Sequence, residues 1–96
     1  MSTVTVYVSI GNSDDKLTQA EWAEYVQAVR NMAAAFPKAV HGEWFSAPNS
    51  PYQNACWCLE FDNEADMIEA RASLVIQRKH FRQDSAAWAV ATTEFL

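Results

Sequence analysis

Apolar residues recur along this chain with two different periods, and the points where the period changes divide it into six segments. From Thr3 to Ile10 the alternation is strict, with Val4, Val6, Val8 and Ile10 on one face and Thr5, Tyr7 and Ser9 on the other. Successive side chains of a strand point to opposite sides, so this predicts a strand with one wholly apolar face. Gly11 to Lys16 (GNSDDK) is turn chemistry. Thr18 with Glu21 three residues on then makes a capping box, and Leu17 can staple onto Trp22. Trp22, Tyr25, Val26, Val29, Met32, Ala33 and Phe36 follow at helical spacing until Pro37, whose ring excludes another turn.

Alternation returns over Ala39 to Ala47, placing Val40, Gly42 and Trp44 on one side and His41, Glu43 and Phe45 on the other. Pro48, Asn49, Ser50 and Pro51 suit neither regular structure. Beyond them Ala55, Trp57, Leu59 and Phe61 alternate with Cys56, Cys58 and Glu60, which completes a hairpin with a long connection. Asp62 or Asn63 can cap a second helix, with Glu64 and Asp66 in its first turn and Arg78 and Lys79 in its last, the polarity its dipole favours. Met67, Ile68, Arg71, Ala72, Leu74 and Val75 are its expected inner stripe. A final strand sets Trp88 and Val90 against Ala87, Ala89 and Ala91, and Thr92 to Leu96 is a short tail or strand extension.

The order is β-α-β-β-α-β, an α+β arrangement in which two helices cover one face of a four-stranded antiparallel sheet, the ferredoxin-like fold. With no internal repeat, linker or low-complexity segment, residues 1–96 are expected to form one domain. Half the residues are apolar, including four Trp, five Phe and three Tyr, so one core can offset chain entropy without cross-links. A net charge of −5 repels a phosphate backbone at long range, which argues against general nucleic-acid binding. Even so, Arg71, Arg78, Lys79 and Arg82 are four of the seven basic residues, which leaves room for a local anion site.

Cys56 and Cys58 stand at i and i+2 of a strand, roughly 6.5–7 Å apart and beyond comfortable disulfide geometry, so both are read as reduced thiols. No apolar run approaches the ~20 residues that span a membrane, and the N-terminus lacks a signal-peptide pattern, so a cytoplasmic protein is expected.

The topology sends three connections, Gly11 to Leu17, Ala47 to Gln53 and Phe81 to Ser85, to one end of the sheet. Asn12, Ser13, Asp14, Asp15, Tyr52, Gln53, Arg82, Gln83 and Asp84 are therefore the candidate ligand-binding residues, since polar loops gathered on a rigid scaffold are where binding often sits. Water-covered loops are polar too, and that plainer account applies to every one of them. The start of the first helix could hold an anion with Arg82, although Asp14 and Asp15 already satisfy that end and Gly11 alone is no phosphate loop. Asp14, Asp15 and Asp84 could gather a hard cation, but the spacing is not that of a calcium loop. Cys56, Cys58 and His41 are one short of a tetrahedral zinc site, and buried thiols ordinarily pack as small hydrophobes. No serine has a nucleophile context. Neither a metal, a cofactor nor a catalytic residue is therefore assigned.

The sheet face away from the helices would show Tyr7, Ser9, Phe45, Cys56, Cys58, Ala87 and Ala89 together, and little of that surface favours water. Such a patch usually marks an interface, so a homodimer packing sheet against sheet is expected, with Tyr7, Phe45, Cys56 and Cys58 as candidate interface residues. A small-molecule pocket between sheets is the alternative use of the same face, whereas RNA platforms place aromatics on both central strands, and here Tyr7 has only cysteines beside it. The whole-chain pattern, with Gln83, Asp84 and Ser85 leading into the last strand, resembles small uncharacterised proteins of bacteria and their phages, and the resemblance implies no activity. The expected role is a small non-enzymatic oligomeric binding protein that engages a protein partner or small ligand through its loop end or its open face. The rival is a small enzyme or nucleotide- or anion-binding protein with a site at the loop end, built from Asp14, Asp15, Arg82 and Asp84 with Tyr52 or Gln53 on the substrate.

Overall fold

In the computed structural model, which describes residues 3–96, the chain runs β1 (Val4–Gly11), a 3-10 turn (Ser13–Asp15), α1 (Gln19–Ala35), β2 (Ala39–Phe45), β3 (Asn54–Phe61), α2 (Glu64–His80) and β4 (Ala87–Ala91). The strands form one sheet in the order β2-β3-β1-β4, and every neighbouring pair is antiparallel. This is the ferredoxin-like α+β topology that the periodicities predict.

The two central strands supply the floor of the core. Val6, Val8 and Ile10 of β1 and Trp57, Leu59 and Phe61 of β3 are buried beneath Tyr25, Val26, Val29 and Met32 of α1 and Ala70 and Leu74 of α2. The capping box is complete: Glu21 N donates to Thr18 Oγ1 at 3.1 Å, and Thr18 N donates to Glu21 Oε1 at 3.1 Å. At α2 the cap is Asn63, whose Oδ1 accepts from Asp66 N at 2.8 Å. That helix ends in a left-handed turn, because Arg82 N donates to Lys79 O and Gln83 N to Arg78 O while Arg82 adopts φ 58°. Glycine usually fills that position, since a Cβ is strained there.

The β2 strand departs from simple alternation. Val40 pairs with Leu59 but Gly42 pairs with Cys58, so a bulge at His41 inserts one residue. One extra residue inverts every side chain beyond it. Glu43 and Phe45 consequently lie across from core-facing Trp57 and Ala55, on the helix side, and Gly42 and Trp44 lie across from Cys58 and Cys56, on the open side. Arg30 of α1 marks the difference: its Nε is 2.7 Å from Glu43 Oε1, and its guanidinium stands 6.0 Å from the centre of the Phe45 ring. The expectation that Phe45 belongs to the open face is thereby corrected, and Trp44 takes its place. The strand also ends at Phe45 rather than Ala47.

The inner stripe of α2 is rotated from the expected one as well. Ala70 and Leu74 are buried and Met67 packs against them, whereas Arg71 and Ala72 are exposed and Ile68 is 60% exposed. A stripe through 67, 70 and 74 continues to Phe81, which stacks on Tyr25 with ring centres 4.8 Å apart. That stacking fixes the rotation of the helix.

Candidate functional site

Antiparallel pairing on both sides of β1 does bring the three expected connections together, and hydrogen bonds join them. Asn12 N donates to Gln53 O at 3.1 Å, and Asn12 Nδ2 reaches Gln53 Oε1 at 3.0 Å. Gln53 and Gln19 exchange amide bonds at 2.8 and 3.1 Å. Ser13 N donates to Gln83 Oε1 at 2.8 Å, and Gln83 Nε2 donates to Phe81 O at 3.0 Å. Gln83 is only 3% exposed, so these bonds satisfy a buried amide.

The charged candidates are also engaged with their neighbours. Arg82 Nη2 lies 2.7 Å from Glu21 Oε2, and Lys16 Nζ lies 3.0 Å from Asp84 Oδ1. The carboxyl of Glu21 is held below its ordinary value, first by the Arg82 hydrogen bond and next by the Thr18 backbone. Asp14 and Asp15 adopt left-handed backbone, φ 53° and 54°, on the exposed turn. Tyr52 is exposed on the far rim of a shallow recess of about 270 Å³ that Gly11, Asn12, Ser13, Asp14 and Gln53 also line. The loop end thus gathers all nine expected residues, and Asn12, Gln53, Arg82, Gln83 and Asp84 are bonded to neighbouring protein groups.

The open face is organised differently. Tyr7 at its centre pairs with Cys58 on β3 and Ala89 on β4. Tyr7 is held above its ordinary value, first by the neighbouring Cys58 side chain and then by desolvation. The Trp44 indole folds back over Gly42, where even a methyl group would overlap the ring. Cys58, flanked by Tyr7 and Gly42, is left 7% exposed although it points away from the helices.

Below Tyr7 the face dips into a depression of roughly 670 Å³ lined by Thr3, Thr5, Tyr7, His41, Cys58 and Glu60, with Ala91, Thr93 and Phe95 of the chain's end as its outer wall. His41 Nε2 lies 2.8 Å from Glu60 Oε1, and Lys38 Nζ lies 3.6 Å from Glu60 Oε2. The His41 hydrogen bond, and then the Lys38 charge, hold the Glu60 carboxyl below its usual range. An ionised carboxylate only accepts hydrogen bonds, so Nε2 of His41 carries the proton and a neutral ring keeps its lone pair on Nδ1. A smaller recess of about 320 Å³ beside Trp44 and Cys56 continues the face toward the loop end.

Sequence reasoning placed Tyr7, Cys56 and Cys58 on this face, with Glu60 in the same alternating row and His41 beside the cysteines, but it set Trp44 with Val40 rather than on this face. The missing signal is the bulge, which period-two counting cannot register. Among the described residues no group of three or more His, Cys, Asp and Glu side chains could hold a metal ion, and no helix is long and apolar enough to cross a membrane.

No family model matches the sequence, and no curated protein matches it significantly. Solved structures do share the fold. A dimeric ferredoxin-like protein of unknown function from Thermobifida fusca aligns with a TM-score of 0.66 at 9% identity, over 97% of this chain and 93% of its own. A dimeric protein of unknown function and ferredoxin-like fold from Bacteroides fragilis gives 0.62 at 15% identity, over 95% and 96%. SnoaB, a cofactor-independent oxygenase from Streptomyces nogalater, gives 0.57 at 8% identity, over 98% and 94%. At these identities the likeness concerns the fold alone.

Proposed function

We propose that the chain acts as a homodimer whose open sheet faces meet, and that the depression beside Glu60 holds a small ligand between them, a binding role without catalysis. The observation that carries this reading is the composition of the open face. Tyr7 and Trp44 remain 41% and 53% exposed there, beside Cys56, Ala87 and Ala89, and among the described residues the charged side chains on that side lie at its lower end. An apolar patch of that kind gains by being covered, at roughly 25 cal/mol per Å² removed from water. The two bacterial neighbours described as dimeric support self-association.

The depression favours a neutral ligand that carries hydroxyl donors. Lys38, 3.6 Å from Glu60, balances its charge, while the carboxylate, the threonine hydroxyls and, in the neutral ring, His41 Nδ1 accept hydrogen bonds. The loop end has a weaker claim, because Asn12, Gln53, Arg82, Gln83 and Asp84 are already bonded to neighbouring protein groups. A second reading, a small enzyme, is supported by the His41–Glu60 pair, in which an orienting carboxylate leaves a ring nitrogen free to take a proton. One neighbour of the same fold is itself described as a cofactor-independent oxygenase.

Size-exclusion chromatography with light scattering tests the assembly: wild type is expected at dimer mass, and Tyr7→Glu and Trp44→Glu at monomer mass. A strict monomer at high concentration would overturn the reading. A thermal-shift panel of neutral hydroxylated compounds tests the pocket, since a hundred-fold excess over Kd adds about 2.7 kcal/mol of stability. His41→Ala is expected to abolish the shift, and conversion of the stabilising compound would favour the enzyme.

A further inference from the structure

The sheet has two outer edges, and they are built differently. β2 carries a bulge at His41, the charged residues Lys38 and Glu43 at and beside it, and the folded-back Trp44 ring, features that blunt an edge against further pairing. β4 reads AWAVA, with neither charge, proline nor bulge, and it pairs only with β1. Its outer row of backbone groups has no strand beside it in the sheet. Helix α2 does not close over it either, because Val90 on the helix side is 59% exposed and Ile68 is 60% exposed. Between α2 and β4 lies a slot of about 80 Å³ lined by Leu74, Val75, Ala86 and Trp88, with Arg71 and Arg78 at its rim.

We infer that this edge pairs antiparallel, about a two-fold axis, with the same edge of a second copy of the chain. Charge complementarity selects that occupant. Beyond β4 the chain is not strand, but Thr93 and Phe95 both line the open face, so Glu94 between them is directed to the helix side, and the pairing would extend β4 through residues 92–94. A register centred on Ala91 sets Glu94 of the second copy opposite Trp88, which places its carboxylate at the guanidinium rim of the slot. Val90 then meets Thr92, a β-branched pair. Neither Arg71 nor Glu94 has an ion-pair partner among the described residues of one chain. The two-fold repeats each contact, so taken alone this interface closes at two copies.

The edge contact uses the β4 backbone edge and does not depend on the proposed face-to-face dimer; with both present and their two-fold axes crossing at right angles, two dimers join into a tetramer. Light scattering across a concentration series at low salt tests it. Wild type is expected to double its mass at high concentration. Arg71→Glu or Glu94→Arg alone loses the doubling, and Arg71→Glu combined with Glu94→Arg regains it. Amide exchange supplies a second readout: the β4 amides not bonded to β1 gain protection with concentration in wild type and in the charge-swapped protein only. If the face contact is wrong and the edge contact right, the same charge pattern appears one step lower, between monomer and dimer. Identical masses for wild type and both single variants at every concentration would overturn the edge proposal, whatever the state of the face.

Discussion

Gln83 is where a ligand contact and a structural pin make opposite predictions. Its buried amide bridges two loops seventy positions apart in sequence, accepting from Ser13 N at 2.8 Å and donating to Phe81 O at 3.0 Å. Gln83→Ala removes both bonds and leaves the part-buried Ser13 N–H and the buried Phe81 carbonyl without partners beside a residue only 3% exposed. Two net hydrogen bonds at about 1 kcal/mol each, plus the desolvation of groups left unsatisfied, give a loss of about 2–4 kcal/mol. For a domain of this size that is a fall in Tm of roughly 10–25 °C. Urea unfolding followed by tryptophan fluorescence measures it, and the midpoint should drop with the slope unchanged. Ser13→Ala is the control, expected to be nearly silent because only the backbone of Ser13 is used. Gln83→Glu keeps the acceptor for Ser13 but sets a second oxygen against Phe81 O, so burial should raise its folded pKa. Its destabilisation is then fully present above that folded value and relieved as pH falls through it. A loss for Gln83→Ala below about 1 kcal/mol would refute the pin, since it would mean water replaces both partners at no cost.

Three further outcomes follow from single environments. Tyr25 is buried with its hydroxyl unpartnered among the described residues, and burial pushes its pKa up to about 12; Tyr25→Phe should therefore raise stability by up to about 1 kcal/mol and remove the most alkaline step from an ultraviolet tyrosine titration. Glu43 is held below its ordinary 4.5, first by the Arg30 hydrogen bond, with the Trp57 indole bond adding to it. Its contribution is complete above the unfolded value and lost as pH falls through the folded one, so Glu43→Gln should flatten the acid limb of a stability-against-pH curve, and an unchanged slope would contradict this. At Arg82, Ala keeps the left-handed strain and loses the exposed Glu21 pair, whereas Gly relieves the strain; thermal melts should rank Arg82→Gly above Arg82→Ala by about 1 kcal/mol.

The loop cluster was legible because it follows from strand direction alone. Once β1 and β4 were read as strands flanking a hairpin and two helices, Asn12, Gln53 and Gln83 had to meet at one end. What those residues do there was not legible, because a polar side chain in a loop looks the same whether it meets a ligand, water or another loop. Gln83 turned inward to bond Ser13 and Phe81, and Arg82 turned to Glu21, which only the packed backbones could specify.

By itself the sequence determined the element order, the capping box at Thr18, the end of α1 before Pro37 and the sides to which Val4 to Ile10 and Ala55 to Phe61 point, because local periodicity and capping are properties of neighbouring residues. The tertiary structure decided the bulge at His41, the rotation of α2 that exposes Ile68, and hence the partners of Glu60. A bulge is set by how Glu43 can reach both Arg30 and Trp57, and a helix's rotation by how Phe81 stacks on Tyr25. Both depend on residues far apart in the chain, whose spacing no local pattern records.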